Sequence, residues 1–133
     1  MKDLIITEPF KKPEYYHTTV LPIKKGKDFL LLRLYDITYL KGDGAYSKIY
    51  IQKNGIENLH YHHTCKALGF HEKTLPIYSF LRVHNSFIVN LDKIVYIRTK
   101  GGWVLELVDS TIIKVADSHK MELLKRLGLK PEL

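Results

Sequence analysis

Cysteine is almost absent. Cys65 is the single one among 133 residues, so no internal disulfide framework can form and packing must hold the core, as suits a reducing compartment. Long apolar runs are missing as well: stretches such as Phe29 to Leu32 and Phe87 to Val89 fall far below the roughly 20 residues that span a bilayer. Met1 to Phe10 carries Asp3 and Glu8 and no sustained apolar run, unlike a signal peptide. The expected location is therefore the cytoplasm, with no membrane partner. The chain also lacks G-x-S-x-G, a P-loop, a Gly-rich dinucleotide fingerprint, paired C-x-x-C and H-E-x-x-H, and its carboxylates occur singly. Those absences give no support to an enzyme, a cofactor or a metal site. Acidic residues are in deficit, 14 Asp and Glu against 21 Lys and Arg, which leaves a net charge of +7. Such a balance favours a polyanionic partner, because Lys and Arg release counterions from phosphate.

What is present reads as one domain, with 45% hydrophobic and 26% charged residues, in the ordinary globular range. Residues 1–21 contain Pro9 and Pro13 and no clear periodicity, and are expected to form an N-terminal arm or linker before a domain at 22–130. Within it, Phe29 to Leu34, Thr38 to Lys41, Tyr46 to Gln52 and Ile56 to Tyr61 are β-branched and aromatic runs separated by turn formers. Asn54-Gly55 suits a tight hairpin and pairs the last two runs antiparallel. Alternation sets Tyr46, Lys48, Tyr50 and Gln52 on one face of a half-buried strand and Ser47, Ile49 and Ile51 on the other. Thr64 to Phe70 is expected to form one or two helical turns. Ile94 to Thr99, Trp103 to Val108 and Ile112 to Val115, divided by Lys100-Gly101-Gly102 and Asp109-Ser110, predict a three-strand meander, with Trp103 as a core anchor. A helix follows, with Asp117 or Ser118 as N-cap, Leu123, Leu124 and Leu127 on its apolar face and Gly128 as its stop. The class is mainly β with minor α, an elongated antiparallel β-sheet fold with short helices and a C-terminal helix.

Two clusters invite other readings. His60, His62, His63 and Cys65 have metal-ligand chemistry, but no complete zinc spacing accompanies them, so a strand carrying mild positive charge is the preferred reading. Nine tyrosines could stack single-stranded nucleic acid, yet their spread over many strands suits a core better.

Phe80 to Ile94 carries the most information. Phe80, Val83, Phe87, Ile88 and Ile94 form an apolar scaffold around the polar insert Arg82, His84, Asn85 and Ser86. Asn85 has the amide that pairs with adenine in a major groove, while Asn90 reads as a turn or helix-end residue. This stretch resembles the F-x-R-x-H-x-S-x-x-V-N-x-x-x-I signature of the LytTR-type DNA-binding domains, the output domains of bacterial response regulators in two-component systems. Ile37-x-Tyr39 leading through Gly42 to Tyr46, and Ile113-Lys114-Val115 before the last helix, resemble further motifs of that family in the right order. The likeness covers residues 23–128.

The resemblance implies a transcription regulator that grips duplex DNA through loops entering successive major grooves. Carried over, the DNA face comprises the loop Gly42 to Lys48, a turn and short helix at Arg82 to Ser86, and the segment Lys114 to Lys120. Asn85 and Ser47 are the expected base contacts. Lys48, Arg82, His84, Ser86 and Lys120 are the expected phosphate contacts, with Lys114, Ser118 and His119 available beside them. One departure is Asp117, where the family usually has a base; its carboxylate repels phosphate, and capping the final helix is its expected role. Family members mostly carry a receiver domain ahead of this module. Here a short arm stands there, so the expectation is a regulator driven by expression level or by a separate signalling protein, or an output domain cut from a longer chain. Pairing of two copies is expected only on repeated DNA half-sites. The competing function is a protein-interaction module of the same fold that has lost DNA affinity and antagonises a regulator.

Overall fold

The computed structural model describes residues 3–8, 19–52 and 60–131, with only the backbone of His60. Five antiparallel strands form the central sheet in the order β6-β5-β4-β8-β7: β4 (Ile37–Asp43), β5 (Tyr46–Ile51), β6 (His60–Thr64), β7 (Phe80–His84) and β8 (Phe87–Asn90). The alternation expected in β5 holds. Ser47, Ile49 and Ile51 are buried, while Tyr46 is exposed and Lys48 and Tyr50 are half-buried. In β4 Ile37, Thr38, Tyr39 and Leu40 are all buried, because this strand lies mid-sheet with both faces covered.

One face packs Leu40, Ile49, Ile88 and Phe80 against the hairpin of β2 (Val20–Lys25) and β3 (Asp28–Arg33) and against helix α1 (Leu68–Thr74). The other packs Tyr39, Val83 and Val89 against the predicted meander, β9 (Ile94–Arg98), β10 (Val104–Leu107) and β11 (Ile112–Lys114), and against helix α2 (Lys120–Leu127). Trp103 is buried in this second core. Its placement is as expected. Gly128 ends α2 at φ 75°, its N–H donating to the Leu124 and Lys125 carbonyls, the left-handed stop that glycine adopts without a Cβ clash.

Several expectations shift. Leu4–Ile6, within the expected arm, forms β1 and pairs with β12 (Leu129–Pro131), and Val20 already belongs to β2; residues 9–18 lie outside the described residues. The partner of β5 is found at His60–Thr64, with Ser47 opposite Thr64 and Ile51 opposite His60, while residues 53–59, the Asn54-Gly55 turn among them, lie outside the described residues. Strand pairing continues through Thr64, so the helix starts only at Leu68 and stops before Pro76, whose ring disfavours helical geometry in the preceding residue. Residues Arg82 to Ser86 form no helix: they close a β-hairpin with Asn85 and Ser86 as its turn. Asn90 does serve a turn. Its side chain accepts from the Asp92 N–H (3.0 Å) and donates to the Ile37 carbonyl (2.8 Å), bolting β8 to the start of β4.

Candidate nucleic-acid interface

Register places a basic row across the whole sheet. His63 stands opposite Lys48, Lys48 opposite Lys41, Lys41 opposite Phe87, and Phe87 opposite His84. Directly opposed residues on antiparallel strands share a face, so four basic side chains and one ring line up near one end of the sheet. Two residues inward the same register sets Tyr61, Tyr50 and Tyr39 side by side. The Tyr39 and Tyr50 rings stack at 4.3 Å, Tyr50 meets Tyr61 at 5.3 Å, and the Lys48 ammonium lies 5.1 Å from the Tyr61 ring. This aromatic ladder roots the basic row in the second core. Burial pushes the Tyr39 phenol up to about 12, so it stays neutral and adds no opposing charge.

Three loop segments converge at that end. The Gly42 N–H donates to the Ser86 carbonyl at 2.9 Å, tying the β4–β5 turn to the Asn85-Ser86 turn. Gly44, in the first of these turns, sits at φ 62°, where a side chain would strain the backbone. Val83 is the extra residue of a bulge between Arg82 and His84, and its carbonyl accepts from the Ala116 N–H at 2.9 Å. That bond attaches the Lys114 to Lys120 segment beside the same hairpin.

Within this cluster Asn85 is exposed, and the Arg82 guanidinium donates to its carbonyl at 2.5 Å, which fixes the turn. Nδ1 of His84 accepts from the Ser86 N–H at 3.1 Å, leaving the proton of the neutral ring on Nε2. Arg82 is half-buried and paired with Glu72 at 3.0 Å. Lys114 and Ser118 are exposed and His119 is half-buried. Lys120 pairs with Asp117 at 2.7 Å and lies 5.1 Å from the Trp103 ring.

Two expected roles change. Ser47 is fully buried, its hydroxyl donating to the Lys66 carbonyl at 2.7 Å. It holds the strand after the loop in place and offers nothing to a base edge in this structure. Asp117 caps no helix: α2 begins after His119 without a side-chain cap, and the Asp117 carboxylate, 93% exposed, turns to Lys120. The Lys120 ammonium holds that carboxyl below the usual range.

Lys41 is an addition that the sequence reading missed, and His63, read there only as part of a mildly positive strand, joins the row. Counting outward from the two-residue turn Gly44-Ala45 pairs Lys41 with Lys48, so a signal for Lys41 was there; His63 depended on the β5–β6 register. His62 faces away from His63, because its partner Ile49 points into the first core. Among the described residues no three His, Cys, Asp or Glu side chains gather as a metal site, and no helix is long and apolar enough to cross a membrane.

Comparison with known proteins bears on this arrangement. No curated protein sequence matches the chain. A solved structure described as the LytTr DNA-binding domain of a methyl-accepting/DNA response regulator from Bacillus cereus superposes with a TM-score of 0.67 at 23% identity, covering 83% of this chain and 97% of that one. At that identity the likeness establishes the fold. The family model for the LytTr DNA-binding domain matches residues 27–128, a span that holds the five-stranded sheet, the meander, α2 and all three loop segments. The chain belongs to the LytTR DNA-binding domain family.

Proposed function

We propose that this protein is a sequence-specific double-stranded DNA-binding transcriptional regulator that reaches successive major grooves through loops at one end of its central sheet. The observation that carries the reading is the pair of backbone bonds, Gly42 to Ser86 and Ala116 to Val83, which gathers three distant loop segments beside the row of His63, Lys48, Lys41 and His84. Asn85 reads a base edge, and Lys48, Lys41, His63, His84, Ser86 and Lys114 meet phosphates. Ser118, His119 and Lys120 flank the third contact, and two copies occupy repeated half-sites side by side.

Selection from a random duplex library at roughly physiological salt tests this, since specific binders exceed their non-specific affinity by about a thousandfold or more. An enriched motif is expected, and unenriched DNA would overturn the reading. On the selected duplex, Asn85→Ala is expected to lose about 1–3 kcal/mol of discrimination at one base pair. Lys48→Ala is expected to weaken all duplexes alike and to lower the salt slope by about one.

A second reading is favoured by the two ion pairs, Glu72 with Arg82 and Asp117 with Lys120, which neutralise cations on two of the contact segments. Here the domain binds a regulator and blocks it. It predicts negligible affinity for every duplex at moderate salt, with co-purification of a protein partner.

A further inference from the structure

A cleft of about 490 Å³ opens on the side of the sheet opposite the basic row, between the β2–β3 hairpin and the junction of β6 with α1. Its size falls within the range of small-molecule sites. Ile23 and Leu21 supply apolar wall, and Phe29 and Phe70 line it while remaining 62% and 45% exposed, large rings that the chain leaves uncovered. Among the described residues, Lys24 and Lys66 are the charged residues in its lining, and no Asp or Glu contributes to it. The Lys66 ammonium lies 4.9 Å from the Phe70 ring.

His71 forms part of the same wall and is 2% exposed. Its Nε2 lies 3.4 Å from the Thr64 hydroxyl, itself a lining group that accepts from the Lys66 N–H at 3.1 Å. Nδ1 of His71 has no hydrogen-bond partner among the described residues. Burial lowers the His71 pKa, so the ring is neutral and the charge of the cleft comes from its two lysines.

We propose that this cleft binds a small apolar monocarboxylate, its hydrocarbon or aromatic body against Ile23, Phe29 and Phe70 and its carboxylate held by Lys24 or Lys66, with the Thr64 and His71 polar groups beside it. Two ammoniums, with no carboxylate among the described lining residues, select an anion. The apolar walls select a body with little polarity of its own. The site is separate from the nucleic-acid face, which uses Lys48 and His63 on the other side of the same strands.

Octanoate is the probe, with octylammonium as the control of equal chain length and opposite charge. Titrating octanoate into the full chain labelled with nitrogen-15 is expected to shift the amides of Ile23, Phe29, Thr64, Phe70 and His71 in a saturable way. It is also expected to slow alkylation of Cys65, which is exposed and lines the cleft. Octylammonium should do neither. The exchange of both exposed lysines, Lys24→Glu with Lys66→Glu, is expected to weaken octanoate about tenfold or more, the loss of one charge-assisted contact. Absent or unsaturable shifts, shifts centred elsewhere, equal response to octylammonium, or unchanged affinity in the double variant would each overturn the proposal.

Discussion

Arg82 and Lys120, on the proposed nucleic-acid face, have their charge already answered, by Glu72 at 3.0 Å and by Asp117 at 2.7 Å. The partly exposed Arg82–Glu72 pair is worth at most about 1 kcal/mol, and the Asp117 carboxylate stands open to solvent, so neither pair resists displacement by phosphate. Glu72→Gln is therefore expected to raise affinity for every duplex a few-fold and to steepen the salt dependence by about one, as the Arg82 charge becomes fully available. Fluorescence anisotropy over a range of salt concentrations reads both. Lys120 keeps Asp117 charged to below the ordinary carboxylate range, so acidification within the neutral and mildly acid range leaves that pair intact. At this scale the sequence was legible in part. The alternation of β5 already set Ser47 with Ile49 and Ile51 on the buried face, and family likeness argued the other way; the structure follows the alternation. The Asp117 pairing is an i, i+3 contact with Lys120, a spacing present in the sequence that the capping expectation passed over.

Elements bounded by glycine or by clear turn formers were the readable ones. The meander follows its turns, with Gly101 at φ 75°, Gly102 at φ 116° and Ser110 at φ 70°, and α2 ends at the glycine expected to stop it. Elements that depend on partners were not readable. The strand β6 extends to Thr64 because β5 continues to pair with it, and Arg82 to Ser86 is a hairpin because β8 folds back on β7. Asn90 shows how such a hairpin is tied to the rest. It is fully buried, and its amide serves both the Ile37 carbonyl and the Asp92 N–H. Asn90→Ala leaves both groups without that partner, at about 1–3 kcal/mol for the buried Ile37 carbonyl and less for the N–H of Asp92, whose residue is exposed. The expected loss is about 2–4 kcal/mol, read as a lower urea midpoint with an unchanged slope.

At the scale of the whole molecule, the mainly antiparallel class and the basic character were visible from composition and strand signals. The arrangement was not: β4 pairs with β8 across some forty intervening residues, and no local rule reports such a contact. One sheet covered on both faces divides the interior into two cores, and His71 sits buried beside the first. Its ring titrates below its ordinary value of 6.5 through burial, so as pH falls through that value the unfolded chain takes up a proton that the folded chain refuses. Stability is thus complete above about 6.5 and declines below it. Urea unfolding is expected to give a smaller free energy at pH of about 5.5 than at about 7.5, and His71→Gln is expected to narrow that difference.

The pairing of β1 with β12 sets Leu4 opposite Pro131, so the described chain begins and ends at one place on the surface. Tension applied between those two points loads the ladder one hydrogen bond at a time, like a zipper, instead of shearing all of them together. A pull on the ends therefore peels this small pair away at low force, before the five-stranded sheet bears load.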